Sequence, residues 1–239
     1  MTNETVRVEG ANVPPAPPLS DTWLVVPLYN EAPVVREVIT AARAVFPHVV
    51  VVDDGSTDAS AAEAAAAGAV VVRHPINLGQ GAALQTGITY VLERTDARYL
   101  VTFDADGQHS PADAAAMVER AEAEDLAIVL GSRFLDGKTD VGWLKRLVLR
   151  TVAVVSSRTS GMHLTDAHNG LRLIRRDAAQ HLDLTQNRMA HASQIIRQLG
   201  ATGLPWREQG VHIVYTDYSR AKGQSLWNSV NILVDLLFS

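Results

Sequence analysis

Short apolar runs rich in β-branched residues recur along this chain at the spacing of βαβ units, and no other feature limits its fold as much. Trp23 to Val26, Val49 to Val52, Val70 to Val72, Tyr99 to Phe103 and Ala127 to Leu130 read as buried strands. Helical patterns fill the gaps at Pro33 to Val45, Asp58 to Ala67, Gly81 to Glu93 and Pro111 to Glu124. Repeated βαβ units close into a mainly parallel sheet flanked by helices, so the expected class is α/β. The Ala59 to Ala69 stretch looks repetitive, but alanine is the strongest helix former and Gly68 supplies a stop, so it reads as a plain helix. With 47% hydrophobic and 20% charged residues, the 239-residue chain can bury one large core.

Composition removes several chemistries. The absence of cysteine excludes disulfides, thiolate nucleophiles and cysteine-ligated metals, so any metal must sit on oxygen or histidine. Lys and Arg number 21 against 26 Asp and Glu, and a net charge of −5 argues against broad capture of nucleic acid. Neither G-x-G-x-x-G nor G-x-x-x-x-G-K-[ST] occurs, which counts against a dinucleotide oxidoreductase and a phosphate-loop ATPase.

Ligands of open α/β sheets gather beyond the carboxyl ends of the strands, and those positions are polar here. Pro27-Leu28-Tyr29-Asn30-Glu31 follows the first strand, Asp53-Asp54-Gly55-Ser56-Thr57-Asp58 the second, and Asp104-Ala105-Asp106-Gly107-Gln108-His109 the fourth. Asp104 and Asp106 are two apart, a period that puts both carboxylates on one face of extended backbone, where Mg2+ or Mn2+ can bridge them to a diphosphate. The same pattern also suits a solvated turn. Asp53 and Asp54 can accept hydrogen bonds from a ribose or base, while Ser56 or Thr57 is expected to cap the next helix with Asp58 near its positive end. Asn77-Leu78-Gly79-Gln80-Gly81 opens another helix, and its glycines let backbone N–H groups approach an anion.

In this order, PLYNE, VVDDGSTD, NLGQGAAL, FDADGQH, GSRF, DAHNGLR and SRAKGQS resemble the family-2 glycosyltransferases of the GT-A fold, in the dolichyl- and polyprenyl-phosphate sugar synthase branch. The resemblance runs from Trp23 to about Ser225 and, within the branch, is similar to the short mycobacterial polyprenyl-phospho-N-acetylgalactosaminyl synthase type. It implies that Pro27, Tyr29 and Glu31 line the nucleoside pocket, that Asp53 and Asp54 contact base or ribose, and that Asn77, Gly79 and Ala105 complete the nucleotide-sugar site. It further implies a metal and diphosphate site of Asp104, Asp106 and Gln108, and phosphate-binding roles for Arg133, Arg172, Arg220 and Lys222, with Ser225 beside the acceptor phosphate. Arg133 is counted with Asp104, Asp106 and Asp166 as catalytic, Asp166 matching a family carboxylate that faces donor sugar or acceptor; a loop aspartate would look the same. Each arginine also suits a surface salt bridge. His109 and His168 flank these motifs without an assigned role, and Met189 to Gln194 departs from relatives that carry a glutamate there.

The implied reaction is inverting transfer of one sugar from a nucleotide-diphosphate sugar, UDP-GalNAc or UDP-Glc rather than GDP-Man, to polyprenyl phosphate for cell-envelope glycan synthesis. Transfer to a glycan hydroxyl and a non-catalytic nucleotide-sugar-binding subunit are the alternatives. Residues 1–20 read as a Pro-rich arm, 21–225 as the catalytic domain and 226–239 as a C-terminal amphipathic helix too short to span a bilayer. Between Val141 and Thr165, Lys145, Arg146, Arg150 and Arg158 alternate with Trp143, Leu144, Leu147, Val148 and Val152, which suits a lipid surface or a core-packed helix with a basic outer face. With no basic-then-apolar leader pattern, the expected location is cytoplasmic, peripheral on the inner membrane face, with a small membrane protein as a candidate anchor.

Overall fold

The computed structural model describes residues 18–135, 161–166, 169–186 and 190–214. A 3-10 turn, Pro18–Asp21, leads into β1 (Thr22–Leu28), α1 (Val35–Arg43), β2 (His48–Asp53), α2 (Ser60–Ala66), β3 (Val70–Arg73), α3 (Gln80–Arg94), β4 (Tyr99–Thr102), α4 (Pro111–Glu124) and β5 (Ile128–Ser132). After them come β6 (Arg172–Arg175), α5 (Arg176–Ala179), α6 (Ala190–Ala201) and β7 (Trp206–Gly210). The strands form one seven-stranded sheet in the order β3-β2-β1-β4-β6-β5-β7. β1 pairs in parallel with β2 and β4, β2 with β3, and β5 with β7. Among the described strands only β6 runs against its neighbours, β4 and β5. The mainly parallel α/β architecture is the one the alternation of runs predicts.

Burial on both faces explains the continuous apolar runs. Leu24, Val26 and Leu28 of β1 pack with α1 and α4 through Val35, Ile39, Met117 and Val118. Val25 points the other way, into a layer with Leu84, Ile88 and Val91 of α3 and Ile195 and Ile196 of α6. α3 can lie this close to the sheet because Gly87 has no side chain: a Cβ there would fall 2.4 Å from Val25 Cγ1. Helix ends follow local chemistry. Ser110 accepts from the N–H of Ala112 and Pro111 opens α4, while Asp125 in left-handed conformation closes it.

Two expectations need correction. Neither Ser56 nor Thr57 caps α2; Ser56 Oγ accepts from the N–H of Asn30, and Asp58 accepts from the N–H of Ser60 at 2.9 Å instead. The N-cap position is Ala59, whose side chain caps nothing, and Asp58 just before it takes the first helical N–H. The second concerns Asp104 and Asp106, which stand in a turn after β4 ends at Thr102, not in extended backbone. Among the described residues no helix is long and apolar enough to cross a membrane. Residues 1–17 of the arm, 141–160 of the basic amphipathic stretch and the terminal segment 226–239 lie outside the described residues.

Candidate active site

Beyond the carboxyl ends of β1, β2 and β4 lies a cavity of about 610 Å³. Pro27, Leu28, Tyr29 and Glu31 reach it from the end of β1, Asp54 from the end of β2, Asn77 to Gln80 and Ala83 from the start of α3, and Asp104 to Asp106 from the turn after β4. The structure therefore brings together every nucleotide-binding residue expected from sequence except Asp53 and Arg133. Asp53 is fully buried; its carboxylate takes the Arg73 Nε–H at 3.0 Å and the Ser56 N–H at 3.2 Å.

Asp54 builds the wall rather than merely lining it. Its two oxygens accept from the backbone N–H groups of Leu78 and Gly79, both at 2.8 Å, and Oδ1 also contacts His74 Nδ1 at 2.8 Å. These bonds fix the glycine loop at the mouth of α3, where Gly79 adopts φ 97°, a conformation few other residues tolerate. Gln80 and Ala83, in the first turn of this 15-residue helix, line the cavity, and a helix amino end favours an anion. Tyr29 and Leu78 are large apolar residues on the same wall with about two-fifths of their surface exposed, 44% and 42%.

The Asp104–Asp106 turn is electrostatically asymmetric. Asp104 Oδ2 lies 2.9 Å from His109 Nε2 and Oδ1 accepts from Gln80 Nε2 at 3.2 Å. Burial pushes its carboxyl up, but the hydrogen bond from His109, helped by Arg172 and His191, outweighs that and holds it below the ordinary range. Asp106 moves the other way, because burial and the charge of Asp104 both penalise its ionised form. Two adjacent carboxylates, one raised by the other, are a donor set that a hard divalent cation relieves, and Mg2+ or Mn2+ bound by one or two carboxylates completes its shell with phosphate oxygens and water. Among the described residues no group of three or more acidic or histidine side chains is placed to hold a metal ion, so Asp104 and Asp106 would share a cation with ligands from substrate and water. Gln108 is not on the cavity wall; its N–H donates to Asp106 Oδ1 and its carbonyl accepts from Val214 N–H, both at 3.0 Å.

Asp166 and Arg172, both buried, and the partly buried Arg133 form a charged group beside Asp104. The Arg133 guanidinium forks onto Asp166, Nε to Oδ2 at 2.6 Å and Nη2 to Oδ1 at 2.8 Å, and the Arg133 N–H adds a bond at 3.1 Å. Arg172 is only 3% exposed; burial lowers its pKa to about 10 although Asp104 and Asp166 oppose the fall, so it stays cationic at neutral pH. Gly170 presses against Asp104 so closely that a Cβ would fall 2.2 Å from Oδ2, and its carbonyl accepts from Thr102 Oγ1 at 2.6 Å. Antiparallel pairing of β6 causes this approach. Arg172 lies opposite Thr102, so the residues that precede β6 arrive where those that follow β4 depart.

Several residues that surround the candidate site escape a sequence reading. Glu208, on β7, accepts from the Thr165 N–H at 2.8 and 3.0 Å, from Thr165 Oγ1 at 3.0 Å and from the Asp166 N–H at 3.2 Å. Burial, with a smaller contribution from Asp166, raises its carboxyl despite these bonds. Nothing in Trp206-Arg207-Glu208-Gln209-Gly210 marks it, since alternating polar residues are ordinary on an edge strand. Gln80 and His109 sit inside the motifs, and only the turn geometry shows both on Asp104. Arg220, Lys222, Ser225 and His168 lie outside the described residues.

Comparison with known proteins agrees with this geometry. Residues 23–183 match Glycosyl transferase family 2. The chain is 35% identical, over 75% of its length and 71% of the relative's, to polyprenol monophosphomannose synthase of Mycolicibacterium smegmatis. It is 26% identical, over 90% of its length and 94% of the relative's, to the UDP-N-acetylglucosamine–dolichyl-phosphate N-acetylglucosaminyltransferase of Methanococcus voltae. Glucosyl-3-phosphoglycerate synthase of Mycobacterium tuberculosis, solved with Mn2+, UDP and glucosyl-3-phosphoglycerate, shares the fold at a TM-score of 0.65 and 18% identity, over 90% of this chain and 78% of that one. The chain belongs to glycosyl transferase family 2, in the branch of the polyprenyl-phosphate sugar synthases, and is a glycosyltransferase.

Proposed function

We propose that this family-2 glycosyltransferase moves a single sugar from a nucleotide-diphosphate sugar to polyprenyl phosphate at the cytoplasmic membrane face, in cell-envelope glycan synthesis. The observation that carries the reading is one cavity in which an acidic pair, Asp104 and Asp106, meets the amide-rich mouth of α3. A diphosphate fits between those two kinds of partner, and Tyr29 and Leu78 offer apolar surface for a base. UDP-GalNAc or UDP-Glc is the preferred donor over GDP-Man.

The acceptor phosphate is already an anion. One of its oxygens bonds to the anomeric carbon while the bond from that carbon to the diphosphate oxygen breaks; the electron pair leaves with the nucleoside diphosphate and the anomeric centre inverts. Asp104 and Asp106 would hold Mg2+ or Mn2+, whose charge stabilises the departing diphosphate when it is bound. The chain's own residues supply position: the α3 loop orients the diphosphate, Arg172 adds buried charge, and Arg220, Lys222 and Ser225 take the acceptor phosphate. A hydroxyl acceptor would need a free carboxylate as base. Asp166 is 2% exposed and both its oxygens take the Arg133 fork, which supports the phosphate acceptor instead. The basic stretch and the terminal segment would hold the enzyme to lipid or to a small membrane-protein anchor.

The test is incubation of purified protein with polyprenyl phosphate, Mg2+ or Mn2+ and radiolabelled UDP- and GDP-sugars, with label counted in the organic phase. Metal-dependent label from one UDP-sugar, lost in Asp106→Ala, is the expected result. Label confined to water-soluble glycan would establish a hydroxyl acceptor, and donor binding without turnover a non-catalytic subunit.

A further inference from the structure

His109 is buried, with its side chain 4% exposed, and it contacts a site carboxylate without lining that cavity. Its Nε2 lies 2.9 Å from Asp104 Oδ2. A carboxylate accepts hydrogen bonds, so Nε2 carries a proton here. Nδ1 is buried with no partner, which leaves the ring no second polar contact and one use for its hydrogen bond. The ring is held edge-on against Phe103, centroids 5.6 Å apart at 64°. The chain returns to Asp104 within five residues because Gly107 adopts φ 77°, and Asp106 Oδ1 ties down the N–H of Gln108 in the same turn. Gln80 reaches Oδ1 of the same carboxylate through a longer, exposed bond of 3.2 Å, and Gly170 lies beside Oδ2 without a side chain to hold it.

We propose that His109 is a positioning residue for the metal site: its Nε2–H fixes the plane of the Asp104 carboxylate so that Asp104 and Asp106 present their oxygens to one divalent cation. The inference rests on the metal reading given above. A carboxylate ligand free to rotate loses pre-organisation for the cation, and loss of such an outer partner typically weakens metal binding about 10- to 100-fold. His109 does not line the cavity that would take the donor, so its removal should act on metal affinity and leave the chemistry at saturating metal largely intact.

Three substitutions separate this role from packing. His109→Phe keeps the ring contact with Phe103 and removes the donor; His109→Gln can return an N–H to the Nε2 position; His109→Asn carries the same amide one methylene short of it. Mn2+ binding is read by electron paramagnetic resonance, with and without UDP, on protein whose folding is checked by circular dichroism. The expected result is a dissociation constant for Mn2+ raised about 10- to 100-fold in His109→Phe and His109→Asn and within a few-fold of wild type in His109→Gln. In the transfer assay the Mn2+ concentration for half-maximal rate should rise in parallel, with kcat at saturating Mn2+ nearly unchanged. Wild-type affinity in His109→Phe overturns the proposal, and if that variant does not fold, equal affinities in His109→Gln and His109→Asn overturn it. Failure of the wild-type protein to bind Mn2+ at all removes the metal reading itself, and with it the proposal.

Discussion

Asp104 and Asp106 share a turn, yet their surroundings push them in opposite directions. Asp104 is stabilised as an anion by its hydrogen-bond donors, whereas Asp106 carries the cost of burial and of its neighbour's charge. A carboxyl whose pKa is raised on folding binds its proton more tightly in the native state, so its ionisation lowers stability as pH rises from the ordinary carboxylate range through the raised value. Asp106→Asn should therefore raise the melting temperature of the metal-free protein at neutral pH, each kcal/mol of relief appearing as about 2–4 °C for a chain of this size. The gain should vanish below the ordinary carboxylate range, where the wild-type group is protonated too, and the variant should lose transfer activity; thermal melts across pH check both. Such a gain at the expense of function is the usual mark of a site residue. Gly170 is a second case. Its φ is not positive, so a Cβ is excluded by the Asp104 carboxylate and not by backbone strain. Gly170→Ala should displace that carboxylate and lower kcat/KM about 100-fold in the organic-phase assay, while circular dichroism shows a folded chain.

At the scale of elements, one reversed strand builds the site. Six strands run in the direction that βαβ connections impose, and their carboxyl ends supply Tyr29, Asp54 and Asp104. β6 enters between β4 and β5 antiparallel, which brings Asn169 and Gly170 to the same edge from the strand's amino end. β7 then reaches back through Glu208 to hold Thr165 and Asp166, and Asp166 in turn holds Arg133. Glu208→Ala would leave the N–H of buried Asp166 without this acceptor, while the exposed Thr165 can turn to water. A buried donor left unsatisfied costs about 1–3 kcal/mol, so urea unfolding should show a loss of that order. Loss of the Asp166 clasp should also lower transfer activity, which a purely local defect in β7 would not do.

At the scale of the whole molecule, the donor site predicts a linkage. A ligand that binds only the folded state adds about 2.7 kcal/mol at a hundred times its Kd, several degrees in melting temperature. UDP with Mn2+ should raise the melting temperature more than GDP with Mn2+, and Asp106→Ala should lose the metal-dependent part; equal shifts with the two nucleotides would remove the preference for UDP. The alternation of strands and helices was legible in the sequence because hydrophobic periodicity is local: each run reports its own burial. The polar strand ends were legible for a related reason, since in a parallel sheet the residue after each strand lands at one edge. β6 and β7 were not, because Arg172-Leu173-Ile174-Arg175 is short with an arginine at each end, and Trp206 to Gly210 lacks an apolar face. Sequence by itself thus determined the parallel α/β frame and the acidic and glycine-rich segments that meet around the cavity. Tertiary structure alone decided that Asp53 turns away to Arg73, that Asp54 holds the glycine loop, and that His109, Gln80 and Gly170 surround Asp104. The physical reason is that these contacts depend on how a turn closes and on which way a neighbouring strand runs, and neither leaves a periodic trace in the chain.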